Sequence, residues 1–167
     1  MSYEYLTVFA PGPVTRITLN NPARRNALSA AVLEELLRAL REVGGSDAKG
    51  LVLAANGPVF SAGHDFADVV GRDAIGVADL MRLCTDVMLT MHALPQVIVA
   101  RVHALATAAG CQLVASADLA VAARSAGLAL PGGKGGWFCH TPSVPVGRAV
   151  GRKRLMEMAF TGDVVDA

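Results

Sequence analysis

The sequence predicts an α/β domain in which strands and helices alternate around a largely parallel sheet. Three observations carry that prediction. Hydrophobic residues fill 53% of the 167 positions and charged residues only 17%, enough for one sizeable core. Apolar spacing switches between the two-residue period of strands and the 3.6-residue period of helices. After a first strand pair, each short β-rich run is followed by a helical stretch, the pattern of β/α layering. No linker, internal repeat or low-complexity tract divides the chain, so 1–167 is expected to be a single domain.

In chain order, residues 4–10 and 14–20 read as paired strands around Pro11-Gly12-Pro13, a turn signal. The loop 20–28 leads to Ser29, a helix N-cap. The following helix has Val32, Leu33, Leu36, Leu37 and Leu40 on one face and ends at Gly44-Gly45. On its other face Arg38 stands four residues from both Glu34 and Glu42, spacing suited to ion pairs. Residues 50–55 read as a buried strand. Across 77–92 apolar residues recur at steps of three and four, a core-facing helix closed by Pro95. A strand at 96–102, a small-residue helix from about 109 to 116, and a strand at 119–122 follow, with Asp118 bonding backbone at that strand's start. Residues 131–136 form a Gly-rich loop, and 152–160 a last helix stopped by Thr161-Gly162.

Composition excludes several functional classes. Mean hydropathy is +0.43, but the most apolar region, 93–123, is interrupted by Pro95, Gln96, Arg101, His103, Gln112 and Asp118. A spanning helix needs about 20 nearly unbroken apolar residues, so no membrane segment is expected. A net charge of +1 gives no electrostatic case for nucleic acid or anionic lipid. Cys84, Cys111 and Cys139 lack metal-ligand spacing. They read as reduced, buried thiols, and with an N-terminus lacking signal- or transit-peptide character they place the protein in the cytoplasm.

Two segments could carry chemistry. Phe60-Ser61-Ala62-Gly63-His64-Asp65 and Ala106-Thr107-Ala108-Ala109-Gly110-Cys111 each lead from a strand into a tight turn of small residues, which lets a ligand approach the backbone. The second opens a helix whose first N–H groups lack intrahelical acceptors. Two such N–H groups meeting at one carbonyl would stabilise an enolate or another oxyanion. Close helix–sheet packing is the alternative use of the same residues.

GPVFSAGHDF at 57–66 and HALATAAGCQLVASADLAVA at 103–122 resemble the two signature stretches of the enoyl-CoA hydratase/isomerase, or crotonase, superfamily. NNPARRNALS at 20–29 is similar to that family's entry loop, and GRKRLMEMAFTGDVVDA at 151–167 to its penultimate helix. The wording FSAGHD with LATAAGCQLVAS most resembles the enoyl-CoA hydratase domain-containing subgroup. The resemblance implies a crotonase fold of repeated ββα units without the usual C-terminal helices. It implies an acyl-CoA thioester as ligand, its carbonyl oxygen held by the backbone N–H groups of His64 and Ala109. Arg24, Arg25 and Ala27 fall where family members contact the CoA nucleotide, and Ala62, Gly63, Asp65, Phe66, Gly110 and Trp137 would line the site. Beyond coenzyme A as part of the substrate no cofactor or metal is implied, and assembly is expected as a homotrimer or hexamer.

One departure matters. Family hydratases use two glutamates to move the proton and water. Here those positions carry Gln112 and Gly132. The chain's five glutamates, Glu4, Glu34, Glu35, Glu42 and Glu157, leave none from 43 to 156, so no shift of alignment restores the pair. An amide can orient water but exchanges no proton near neutral pH. Asp68, His103, Cys139 and His140 remain as candidate groups; the last two, adjacent in an extended segment, would point opposite ways. The same fold also houses a serine protease, but no nucleophile-elbow motif surrounds Ser61 or Ser116. A non-catalytic acyl-CoA-binding or assembly subunit stands as the alternative to an enzyme.

Overall fold

The structure is a computed structural model that describes residues 2–167. Strands β1 (Leu6–Phe9) and β2 (Val14–Leu19) form an antiparallel pair with Leu6 opposite Leu19. Helix α1 (Ala30–Gly44) follows; Ser29 caps it, its Oγ accepting from Val32 N–H at 3.3 Å. Then come β3 (Gly50–Ala55), α2 (Ala74–Ala93), β4 (Val97–Val102), β5 (Ala106–Thr107), α3 (Ala109–Ser116), β6 (Leu119–Ala122) and β7 (Gly127–Ala129). Helices α4 (His140–Val150) and α5 (Arg152–Thr161) and the strand β8 (Val165–Asp166) complete the chain.

The main sheet has the order β1-β2-β3-β4-β6 and is parallel from β2 onward, as alternation predicts. Beneath it α1 and α2 bury Leu33, Leu36, Leu40, Leu80, Val87 and Met91 against Ile17, Leu53 and Ile98. Asp118 Oδ2 accepts from Ile98 N–H at 2.7 Å, fixing β6 beside β4. A second sheet, β5-β7-β8, stands at the C-terminal end of the main one and carries α3 and a second apolar cluster with α4 and α5. Among the described residues no helix is long and apolar enough to cross a membrane.

Three expectations need correction, and one helix was not anticipated. Helix α2 starts three residues earlier than its apolar stripe, because Asp73 caps it through Gly76 N–H at 2.8 Å. Residues 140–150 are helical although Pro142 and Pro145 argue against it; Pro142 lies in the first turn, where no donor is required, and Val146 is buried. His140 therefore opens a helix instead of continuing an extended segment, and its side chain is exposed. Arg38 does not bridge Glu34 and Glu42. It lies over the Tyr3 ring at 4.8 Å and 4.0 Å from Glu35, while the Tyr3 hydroxyl donates to Glu42.

Candidate functional site

The two small-residue turns meet. Ser61 bridges to Ala106, with Thr107 N–H donating to Ser61 O at 3.0 Å. On its other side the first turn is held by Leu28, whose N–H donates to Gly63 O at 2.8 Å. Glycine is required at two contacts between the turns. A Cβ on Gly63, where φ is +83°, would stand 2.9 Å from Ala108 Cβ and 3.3 Å from Ala109 N. One on Gly110 would stand 2.6 Å from Ser61 O. Gly63 thus packs directly on the peptide that carries the Ala109 N–H, and His64 is the next residue.

The geometry leaves two donors free. Among the described residues neither His64 N–H nor Ala109 N–H donates to a protein acceptor. Ala109 is the first residue of α3, where the helix supplies none, and the positive end of the helix dipole adds to its N–H. Ala108, at φ 49° and ψ −119°, is held in a conformation L-residues rarely adopt. That strain, about 1–3 kcal/mol at such positions, sets the direction of the next peptide and is sustained by the packing around it.

The loop before α1 braces the site from below. Arg25 and Asn26 both have left-handed backbone, φ 53° and 49°. Asn26 is buried and fully bonded: Oδ1 accepts from Asn21 N–H at 2.9 Å, and Nδ2 donates to Asn56 O and Val59 O at 2.7 and 3.1 Å. Ser61 Oγ donates to Asn26 O at 2.8 Å and accepts from Gly63 N–H at 3.2 Å. Ala62 N–H reaches Arg25 O at 3.0 Å. Sequence reasoning missed Asn26 and Ser61 as positioning residues. The one available signal was an asparagine that tolerates left-handed backbone inside a loop opened by Asn-Asn-Pro.

Other predicted residues fall into three groups. Arg24 and Asp65 engage each other, Nη2 lying 3.0 and 2.8 Å from the two carboxylate oxygens. That hydrogen bond holds the Asp65 carboxyl below its usual range, and Asp65 also caps the short turn Phe66–Asp68 through Ala67 N–H. Arg25 is exposed and Ala27 is buried. Phe66 and Trp137, both exposed, meet edge to face at 6.3 Å and join the two loops on either side of the site.

The acid positions differ from each other. Gln112 is 5% exposed, and its Oε1 is buried with no hydrogen-bond partner among the described residues. Position 132 is closed: a Cβ there would stand 1.8 Å from Trp137 O and 2.8 Å from Cys139 Sγ. Trp137 N–H donates back to Gly132 O at 2.8 Å, so the turn folds onto the place a carboxyl would need. Of the remaining candidates His140 is exposed, and the other three are bonded or buried. Asp68 accepts from Ala30 N–H at 2.6 Å as a second cap of α1. His103 Nε2 meets Gly57 O at 2.8 Å. Burial pushes the Cys139 thiol up, against a smaller pull from the Gly132 amide, and burial pushes Cys111 up to about 12. Burial also lowers the His64 imidazole. No group of three metal-ligating side chains occurs among the described residues.

Comparison with known proteins gives the family. Residues 10–167 match the profile of the family described as enoyl-CoA hydratase/isomerase. The chain belongs to that family. It is 48% identical over 158 residues to the mitochondrial enoyl-CoA hydratase domain-containing protein 3 of Mus musculus, covering 92% of this chain and 52% of that protein. The Rattus norvegicus counterpart is 46% identical over 156 residues with the same coverage. This enoyl-CoA hydratase/isomerase-family chain thus spans about half the length of the curated relatives it matches. Its fold is the crotonase fold. An enoyl-CoA hydratase of Mycobacterium smegmatis superposes with a TM-score of 0.95 at 44% identity, over 98% of this chain and 65% of that one. The human enoyl-CoA hydratase domain-containing protein 3 gives 0.95 at 40%, over 98% and 66%. The expected cytoplasmic location is overturned by these relatives, whose names place them in mitochondria. Reduced cysteines are equally compatible with that compartment, so cysteine usage could not separate the two.

Proposed function

We propose that this family member binds an acyl-CoA thioester and polarises its carbonyl between the N–H groups of His64 and Ala109. The observation that carries the reading is that these two donors, 45 positions apart in the chain, are left without protein acceptors at turns held together by Gly63 and Gly110. Donors fixed in advance around an atom that gains negative charge stabilise an enolate or tetrahedral oxyanion without reorganising. Coenzyme A enters as part of the substrate, and the exposed cation of Arg25 suits its phosphates.

Two-glutamate hydration is not part of the proposal. Gln112 exchanges no proton, and position 132 has no room for a side chain. The chemistry left is that needing the oxyanion pocket with one acid or base, or none: double-bond isomerisation, decarboxylation or thioester cleavage. The same closure favours a second reading, an acyl-CoA-binding subunit without turnover. Incubating purified protein with a panel of acyl-CoAs, with binding measured in parallel, separates the two: product formation supports the enzyme, and binding without product the subunit. The exposed edge strand β6, with Leu119 and Val121 59% and 65% exposed, supports the proposal of a homotrimer or hexamer, which light scattering on the purified protein tests.

A further inference from the structure

One face of the main sheet has no partner. The registers along β1-β2-β3-β4-β6 set the side chains in rows, and alternate rows face α1 and α2. The rows between them face away: Val14, Gly50 and Val97 in the first, then Phe9, Arg16, Val52, Val99 and Leu119 in the second. Both are open, with Val14 47%, Val97 52% and Phe9 53% exposed. In a third row Arg101 and Val121 are exposed at one flank and Thr7 at the other, while Thr18 and Ala54 between them are buried. Parallel sheets stand with both faces covered, yet this one, parallel from β2 onward, is packed by helices on one face only among the described residues. Arg16, held over the Phe9 ring at 5.2 Å, and Arg101 are the charges of the open face, and no carboxylate stands in its rows among the described residues.

Resting on the proposed homo-oligomer, we infer that this face is a two-fold contact between copies of the chain, stacked sheet on sheet with their strands aligned. Strand β3 is the middle strand. An axis running along it, between the stacked sheets, puts β2 over β4 and β1 over β6 of the second copy and keeps every row level. Val14 then meets Val97, Val52 meets Val52, Phe9 meets Leu119, and Arg16 lies on Val99. Apolar positions meet apolar positions and no arginine faces another. The alternative in-plane axis, across the strands through the second row, would set Arg16 on Arg16 with no carboxylate to relieve it. Sheets packed in this way lie about 10 Å apart and within about 30° of alignment. At about 4.8 Å between strands and 3.3 Å per residue, the face covers at most about 500 Å² per copy. A total near 1,000 Å² is the lower bound for a specific interface, so the association is concentration-dependent. The hydrogen-bonding edge of β6 is left for a different contact, and three copies joined there become six through this face.

Sedimentation velocity over a concentration series, with thermal melts alongside, tests the assignment. The wild-type chain should reach an even-numbered assembly that halves on dilution. Val99→Arg sets an arginine on Arg16 at both symmetric positions and should weaken the two-fold step at least about tenfold. Val99→Glu puts a carboxylate there and should hold or strengthen it. Val99→Arg combined with Arg16→Glu should restore the step, which separates lost contact from lost folding. Val52→Cys should link to its own copy through a short bis-maleimide, the native cysteines being buried, and Glu34→Cys on the exposed side of α1 should not. An unchanged mass in Val99→Arg, or no link at position 52, overturns the contact and leaves the homo-oligomer standing. Equal loss in Val99→Arg and Val99→Glu overturns the stacking of Arg16 on Val99. A wild-type trimer that never doubles overturns the contact alone, and a monomer at every concentration defeats the contact and the homo-oligomer together.

Discussion

Replacing Gly110 by alanine forces apart the two turns on which the site depends. By helix propensity alone the change is favourable, by about 1 kcal/mol, because Gly110 lies inside α3. The contacts reverse the sign. The new methyl would meet Ser61 O at 2.6 Å, Ser61 Cβ at 2.7 Å and Ser61 Oγ at 2.9 Å. Ser61 is fully buried and cannot step aside: its carbonyl accepts from Thr107, and its hydroxyl joins Asn26 O to Gly63 N–H. Overpacking of this kind costs about 1–3 kcal/mol. Each hydrogen bond lost in the adjustment adds about 1 kcal/mol. The net expectation is destabilisation by about 2 kcal/mol, a fall in Tm of roughly 4–8 °C for a chain of this size. Gly135→Ala is the matched control, since a Cβ there meets nothing within 4 Å; it should stay within about 0.5 kcal/mol of wild type. Denaturant unfolding and calorimetry with butyryl-CoA read both effects. If Gly110→Ala matches wild type in stability and thioester affinity, the turns do not position the donors as described.

Three further outcomes are expected. Asn26→Ala removes three buried hydrogen bonds and puts alanine in left-handed backbone, so unfolding free energy should fall by about 3–5 kcal/mol in denaturant titration. Gln112→Glu with Gly132→Glu should not create hydration of crotonyl-CoA, because any side chain at 132 displaces the Trp137 carbonyl; efficient hydration by the double variant would contradict the closed loop. The folded His64 ring resists protonation, so below about pH 6.5 the unfolded chain binds the proton first and stability declines with falling pH. His64→Gln should flatten that decline between pH 7 and 5 in thermal melts, and an unchanged slope would show the ring to be solvated.

The core was legible in the sequence because burial writes a period. Helix α1 declared itself through Val32, Leu33, Leu36 and Leu40, and β3 through its apolar run. Strands β7 and β8, three and two residues long, are too short to show any period. Helix α4 was hidden by Pro142, which its first turn tolerates, and by Pro145 in its interior, which burial of Val146, the next residue, outweighs. In the site, the small residues at 62–63 and 108–110 marked where backbone comes close, and the family resemblance assigned the free N–H groups. Neither could reveal the brace. Asn26 acts through a side chain that reaches 30 and 33 positions along the chain, and no local pattern encodes such contacts. The closure at position 132 was equally hidden: a glycine reads as an absent acid until the Trp137 carbonyl is seen where the side chain would stand.

A crystal structure of the protein with a bound acyl-CoA is the most direct measurement. The thioester oxygen is expected within about 2.7–3.2 Å of both His64 N and Ala109 N. A thioester found elsewhere, or touching neither amide, would contradict the account.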